Sequence, residues 1–236
     1  MAAHQLNLAL SLPDDALFSN FLAPSGSARL QVLGSLKNAL ARDDSFANIL
    51  IWGATGSGLT HLLQATRHEA ANKKLSQQYL SLHELVTFPA NDVLQGLESY
   101  QIICLDNIQA VMGLPEWEEA LFHLFNKLMD AQALLLMTAD APPRSLKTQL
   151  PDLKSRLSAG TIFQLPAYND AEKAAIVQSH ANKIGLYFSE EALGFLMNRA
   201  PRDLHSLLDH LQLLDSYALQ CQSKPTIPLM KKAFGW

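Results

Sequence analysis

A glycine-rich loop behind a buried strand is the feature that most limits how this chain can fold. The apolar run FANILIWG leads into GATGSGLT, and the segment THLLQATRHEAANKK that follows has the pattern of a helix. A strand, a glycine loop and a helix in this order are typical of a phosphate-binding loop, where backbone N–H groups and the helix N-terminus hold phosphate oxygens. A glycine-rich turn without a ligand is the alternative. The predicted nucleotide-binding residues of this segment are Gly53, Gly56, Ser57, Gly58, Leu59, Thr60 and His61.

One position departs from the phosphate-loop pattern G-x-x-x-x-G-K-[ST], because Leu59 stands where a lysine is expected. The lysine would add a charge-assisted hydrogen bond worth about 1.5–3 kcal/mol. Its loss predicts an affinity about 10–150-fold weaker, not a different fold. The same charge stabilises the transition state of phosphoryl transfer, so Leu59 also predicts poor hydrolysis.

A second nucleotide-binding element is predicted at IICLDN, where four apolar residues end in Asp106. This pattern is typical of a Walker B strand, whose acid holds magnesium or its water. Thr60 and Asp106 are therefore the predicted Mg²⁺ ligands when nucleotide is bound. The next position usually carries an acid that orients the attacking water, but here it is Asn107, which cannot act as a base. An ordinary buried strand that ends in an Asp-Asn turn is the alternative.

The pattern of apolar and turn residues in the remaining sequence predicts two folding units that follow an N-terminal leader. Further strands are predicted at QQYLSL, YQIICLDN, ALLLMTAD and GTIFQL, with helices at residues 27–41 and at EWEEALFHLFNKLMDA. Strands that alternate with helices predict an α/β fold with a parallel sheet. Beyond Pro166 only helices are predicted, with caps at Asn169 and Ser189 and helix starts at Pro201 and Pro228. We expect a leader at 1–24, an α/β nucleotide-binding domain at 25–166 and a helical lid domain at 167–236.

Composition narrows the function classes. Of the 236 residues 48% are hydrophobic and 17% charged, and the net charge is −4. This balance argues against a broad basic DNA-coating surface, although a local basic patch is compatible with it. Two cysteines give no disulfide framework and fit a reducing cytoplasm. The histidines and cysteines lack the spacing of a metal site. We expect a cytoplasmic protein without a membrane segment.

Taken together, the motifs resemble those of the DnaA-related regulatory inactivators of bacterial replication initiation, the Hda family, within the AAA+ superfamily. The resemblance runs nearly end to end and rests on a combination of segments. These are QLNLALSLPDDALFSNF, WGATGSGLTHLLQA, ICLDNIQAV, LPDLKSRLSAGTIFQL, RDLHSLLDHLQLLD and TIPLMKKAF. It implies a P-loop AAA+ sheet domain with a helical lid and, unlike DnaA itself, no DNA-binding domain after the lid.

The resemblance implies a regulatory adaptor, not a turnover enzyme. Members of the family bind the DNA-loaded sliding clamp, the beta subunit of DNA polymerase III, and promote hydrolysis of the ATP bound to DnaA. This lowers the amount of active initiator and so negatively regulates DNA replication initiation. The implied cofactor is ADP, or another nucleotide held weakly, with Mg²⁺. The implied partners are the clamp, DnaA and, through the clamp, DNA, and the chain would form a homodimer or an edge-to-edge AAA+ oligomer.

Three further sites are carried over from the resemblance. Clamp binding is expected at Q-L-x-L-x-L, that is Gln5, Leu6, Leu8 and Leu10, although their alternation also fits one face of a strand. Arg156 matches an arginine finger that acts on a neighbour's nucleotide, and a surface arginine paired with Asp152 is the alternative. Arg202 matches sensor 2, a cation over this chain's own phosphates, or else is a surface residue near Asp203. Asp140 falls at the sensor 1 position, or in a plain turn.

Two other function classes are weighed against the adaptor. An initiator-like or motor ATPase would act on DNA directly, which Leu59, Asn107 and the acidic balance oppose. A metabolic P-loop enzyme such as a small-molecule kinase would need the loop lysine, and it gives no reason for the leader or the helical lid.

Overall fold

The computed structural model describes residues 16–41 and 46–236. The chain divides into two compact units, of which the first ends at Leu165 and the second spans Pro166–Trp236. The predicted clamp-binding residues Gln5, Leu6, Leu8 and Leu10 lie outside the described residues. Within the described ranges, no helix is both long enough and apolar enough to cross a membrane.

The first unit is built on a five-stranded sheet in which every pairing is parallel. Its strands are β1 (Ala47–Gly53), β2 (Gln77–Ser81), β3 (Ile102–Asp106), β4 (Leu134–Ala139) and β5 (Thr161–Leu165). They lie in the order β2-β3-β4-β1-β5. The central strands β3 and β4 are buried along their whole length because helices cover both faces of a parallel sheet. The predicted α/β class is confirmed.

Six helices accompany this sheet within residues 16–41 and 46–165. They are α1 (Ala28–Ala39), α2 (Leu59–Asn72), α3 (Leu82–Leu85), α4 (Ala90–Leu94), α5 (Pro115–Asp130) and α6 (Pro151–Ala159). Two apolar clusters lie between the sheet and these helices. One cluster joins α1 and α2 to the strand residues Ile49, Ile51 and Cys104, and the other joins α5 and α6 to Leu50, Ile103 and Leu105. Because successive side chains of a strand point to opposite faces, neighbouring residues belong to different clusters.

The helices α3, α4 and α6 are absent from the sequence prediction. In α6 the only buried side chains are Leu153 and Leu157, one turn apart, and most other positions are polar. Such a short segment gives almost no apolar periodicity, so the amino-acid pattern alone does not distinguish it from a loop.

The second unit is all-helical, as predicted. It contains α7 (Asp170–Lys183), α8 (Glu190–Arg199), α9 (Leu204–Cys221) and α10 (Ile227–Phe234) around one apolar core. Asn169 caps α7 in a capping box with Glu172, and Ser189 caps α8. The predicted start of α9 at Pro201 is wrong. The Asp203 side chain accepts from the Ser206 N–H and so begins the helix at Leu204, which leaves Arg202 in the preceding turn.

Candidate functional site

The glycine loop lies at the carboxyl end of β1, where three glycines are required by geometry. Gly56 and Gly58 have φ angles of +79° and +99°, a region that favours glycine. A Cβ on Gly53 would lie 2.5 Å from the Leu165 carbonyl oxygen on the neighbouring strand. Gly58 is also the N-cap of α2, so the loop leads directly into the positive end of this helix. The arrangement provides backbone donors for an anion.

Two side chains of the loop differ in what they offer a ligand. Leu59 is half-buried and packs against the apolar cluster between α2 and the sheet. The Ser57 hydroxyl is buried and makes no hydrogen bond within the described part of the chain. An unsatisfied buried hydroxyl in a phosphate loop is a group that a bound ligand or water would satisfy.

The carboxylate of Asp106 lies beside the loop and accepts hydrogen bonds from three hydroxyl groups. Its Oδ2 accepts from the Thr60 hydroxyl at 2.7 Å and from the Tyr79 hydroxyl at 2.8 Å. Its Oδ1 accepts from the hydroxyl of Thr138 on β4. Asp106 is only 1% exposed, so these three bonds compensate the burial of its charge.

Burial raises the pKa of Tyr79 well above its usual range, and the neighbouring Asp106 charge raises it further. The phenol therefore remains a protonated donor to Asp106. On the same sheet, burial raises the pKa of the Cys104 thiol to about 12, so this cysteine is an inert packing residue.

Asn107, the residue after the acid, adopts a left-handed conformation with φ +60°. Its backbone N–H donates to the Thr138 hydroxyl at 2.9 Å, and its side-chain oxygen accepts from Gln109 Nε2 at 3.2 Å. The side-chain amide of Asn107 is thus hydrogen-bonded to Gln109 within its own turn. It has no basic group with which to activate a water.

Magnesium is implied by the fold, and the residues fit it only in part. Thr60 donates its proton to Asp106, which leaves the lone pairs of its oxygen available to a metal. Oδ2 of Asp106, however, already accepts two hydroxyl groups. Among the residues that the structure describes, no group of three or more His, Cys, Asp or Glu side chains could hold a metal ion by itself.

His61 joins the start of α2 to the segment before α1. Its Nε2 lies 3.0 Å from the Leu17 carbonyl oxygen, and because a carbonyl only accepts, the ring nitrogen donates. The ring of Phe21 lies 5.7 Å away, centroid to centroid. His61 therefore anchors the end of the leader to the helix that follows the loop, a contact that the sequence pattern does not reveal.

Arg156 lies far from this chain's own glycine loop. Its backbone carbonyl accepts from Asn48 Nδ2 at 3.1 Å, at the amino end of β1, whereas the loop begins at Gly53. Five residues of strand span about 16 Å, which an arginine side chain does not bridge. The guanidinium lies 5.6 Å from the centroid of Phe125 on α5 and contacts the Met129 sulfur at 3.7 Å.

Arg202 in the helical unit is held by neighbours of that unit. Its guanidinium lies 3.7 Å from Asp170, and its carbonyl accepts from Lys173 Nζ at 2.8 Å. It also lines a surface cleft of about 320 Å³ together with Glu190 and Asn198. The side chain is 75% exposed, which leaves the cation accessible to an anionic ligand.

Sequence reasoning missed two residues that contact Asp106. Asp140 is exposed beyond the end of β4, and the residue of this strand that reaches the acid is the buried Thr138. Tyr79 on β2 is the second. Threonine and tyrosine are common strand residues, so nothing in the pattern distinguishes them from packing side chains.

Comparison with known proteins agrees with this architecture. Residues 12–164 match the model of the bacterial DnaA ATPase domain, and residues 170–234 match the model of the Hda lid domain. An uncharacterized protein of Haemophilus influenzae is 40% identical over 230 residues, which is 97% of each chain.

Two solved structures share the fold. Domain III of the Thermotoga maritima replication initiation protein DnaA superposes with a TM-score of 0.80 at 21% identity, over 95% of this chain and 97% of that one. AMPPCP-bound DnaA from Aquifex aeolicus superposes with a TM-score of 0.73 at 21% identity, over 89% of this chain and 68% of that one. The predicted sheet domain with a helical lid is thereby confirmed. The chain belongs to the Hda/DnaA-related family of AAA+ proteins.

Proposed function

We propose that this protein is a regulatory adaptor of replication initiation. Its leader binds the sliding clamp of DNA polymerase III, its glycine loop holds a nucleotide such as ADP, and its Arg156 stimulates hydrolysis of the ATP bound to DnaA. The outcome is negative regulation of initiation. DNA is contacted indirectly, through the clamp.

The placement of Arg156 carries the proposal. The residue lies at the amino end of β1, about 16 Å of strand from its own loop. A cation in that position does not serve its own nucleotide, but on the rim of an AAA+ module it is available to a neighbour. Arginine fingers supplied by a partner stabilise the charge of phosphoryl transfer and are worth about 10³–10⁵ in rate.

The chain's own glycine loop also supports a protein that acts on a partner's nucleotide and does not hydrolyse its own. Leu59 supplies no charge to the phosphates, and Asn107 supplies no base. The backbone donors remain, so the loop fits binding better than turnover. AMPPCP is bound by the Aquifex aeolicus DnaA that shares this fold, which is consistent with a nucleotide here. We infer the clamp contact from the resemblance of the leader sequence to that of the Hda family.

A crossed experiment tests the proposal with clamp, DNA and DnaA reconstituted. Arg156→Ala should keep clamp binding and lose at least about 10³-fold of the stimulation of DnaA hydrolysis. Arg144→Ala, at an exposed arginine of the same unit, should keep both. Gln5→Ala combined with Leu8→Ala should lose clamp binding and leave the melting temperature unchanged. Full stimulation by Arg156→Ala would refute the finger assignment, and clamp binding by the leader variant would refute the peptide assignment.

The alternative, an initiator-like or motor ATPase that acts on DNA, is separated by two further measurements. The isolated protein should hydrolyse ATP negligibly. Steady-state turnover of about one per second, within the usual range of enzymes, that is abolished by Asp106→Ala would favour the motor. Direct DNA binding that weakens steeply with salt would favour it too.

A further inference from the structure

The hydrogen bonds of Asp106 bear on whether this site needs Mg²⁺ to bind a nucleotide. An ionised carboxylate offers about four lone-pair positions, two on each oxygen. In Asp106 the two on Oδ2 are used by the Thr60 and Tyr79 hydroxyl groups, and one on Oδ1 is used by Thr138. The side chain is 1% exposed, so solvent does not compete for these positions.

A phosphate-loop protein ordinarily needs this carboxylate for the metal. Magnesium keeps several waters and requires near-ideal octahedral geometry at about 2.0–2.1 Å. In P-loop proteins it is held by the loop hydroxyl, by the Walker B acid and by phosphate oxygens. In this chain Thr60 can still face the metal, because the Thr60 proton is the one donated to Asp106. Tyr79 is the group that competes, since its hydroxyl occupies the second acceptor position of Oδ2.

We propose that the Tyr79 hydroxyl takes the place of a metal-bound water on Asp106, so that the site binds nucleotide with an affinity independent of Mg²⁺. Tyr79 is a positioning residue in this role. Its ring is anchored in the sheet on β2, in register with Cys104 on β3, so the hydroxyl is delivered to Asp106 by a rigid strand.

The inference rests on the proposed nucleotide binding, and ADP is the probe. Calorimetric titration of ADP into the full chain, with saturating Mg²⁺ and with EDTA, gives two dissociation constants. For the native protein we expect them to agree within about threefold, less than the worth of one average hydrogen bond. Tyr79→Phe frees one position on Oδ2 and should make binding about tenfold tighter with Mg²⁺ than with EDTA.

A matched control removes a hydroxyl elsewhere. Tyr100→Phe, just before the amino end of β3, should behave as the native protein does. A native protein that binds ADP at least about tenfold more weakly in EDTA would overturn the inference and leave the proposed nucleotide binding intact. Absence of ADP binding in both solutions would overturn the proposed nucleotide binding itself. The native titration decides between these outcomes even if Tyr79→Phe does not fold.

Discussion

Replacement of Glu118 by glutamine should destabilise the first unit more than any other conservative change on α5. Glu118 is 1% exposed, and its carboxylate accepts from three backbone N–H groups. Gly113 donates to Oε1 at 2.7 Å, Leu150 donates to Oε2 at 2.7 Å, and Gln149 donates to both oxygens at 3.0 and 2.9 Å. One side chain thus fixes the turn before α5 and the segment that leads into α6.

The magnitude follows from these bonds. Glutamine retains one acceptor oxygen and turns an NH₂ group toward the N–H of either Gly113 or Leu150. A buried donor left without an acceptor costs about 1–3 kcal/mol. The bonds that remain lose their charge assistance, and such bonds are roughly twice as strong as neutral ones. The expected loss is about 3–5 kcal/mol, a large part of a total stability of about 5–15 kcal/mol.

Urea unfolding at neutral pH, followed by circular dichroism, measures this loss. Glu119→Gln is the matched control, because the Glu119 side chain is 75% exposed and pairs with the exposed His123. An exposed pair contributes about 0–1 kcal/mol, so the control should stay close to the native protein. If the free energy of unfolding of Glu118→Gln is within about 0.5 kcal/mol of that of the native protein, the carboxylate does not hold these loops, and the reasoning is refuted.

Three further predictions test other parts of the molecule. Leu59→Lys should tighten ADP binding about tenfold by restoring a charge-assisted bond, and calorimetry showing equal affinity would contradict this. Gly53→Ala should lower the melting temperature and abolish ADP binding, because its Cβ would lie 2.5 Å from a backbone oxygen; unchanged melting would refute that contact. At pH 8 a thiol reagent should modify the exposed Cys221 and spare Cys104, whose pKa of about 12 keeps it protonated, until the protein is unfolded. The pKa of Cys104 is higher in the folded state than in the unfolded state, where it is about 8.5. The contribution of Cys104 to the free energy of unfolding is therefore fully present below about pH 8.5 and decreases as the pH rises above that value.

The sheet was predictable because each strand is a short apolar run bounded by turn residues. The strands within ALLLMTAD and YQIICLDN are buried on both faces, and no helix of ordinary length fits between their flanking turns. The helix caps Asn169 and Ser189 were equally predictable from the sequence, since their side chains accept hydrogen bonds from the N–H groups three residues further along.

Hydrogen bonds between side chains and distant parts of the chain were not predictable in the same way. The sequence EWEE offers three glutamates near the start of α5, and only the structure distinguishes the buried Glu118, because two of its three partners lie more than thirty residues further along. Thr138 and Tyr79 are ordinary strand residues until the order of the strands brings them to Asp106. Contacts of this kind depend on which strands are neighbours, and a local pattern does not contain that information.

The position of Arg156 also sets the direction of any assembly that uses it. Arg156, the proposed finger, lies near the amino end of β1, and the glycine loop lies at the carboxyl end. A contact between one protein's finger and another's loop is therefore heterologous, and a row of such contacts has two unlike ends. If this chain's own loop hydrolyses ATP negligibly, as predicted from Leu59 and Asn107, the chain extends such a row without adding a productive site. If Arg156 acts as proposed, each copy serves the one loop that it faces, so the stimulation should saturate when every row of initiators carries one adaptor at the end that presents a free loop.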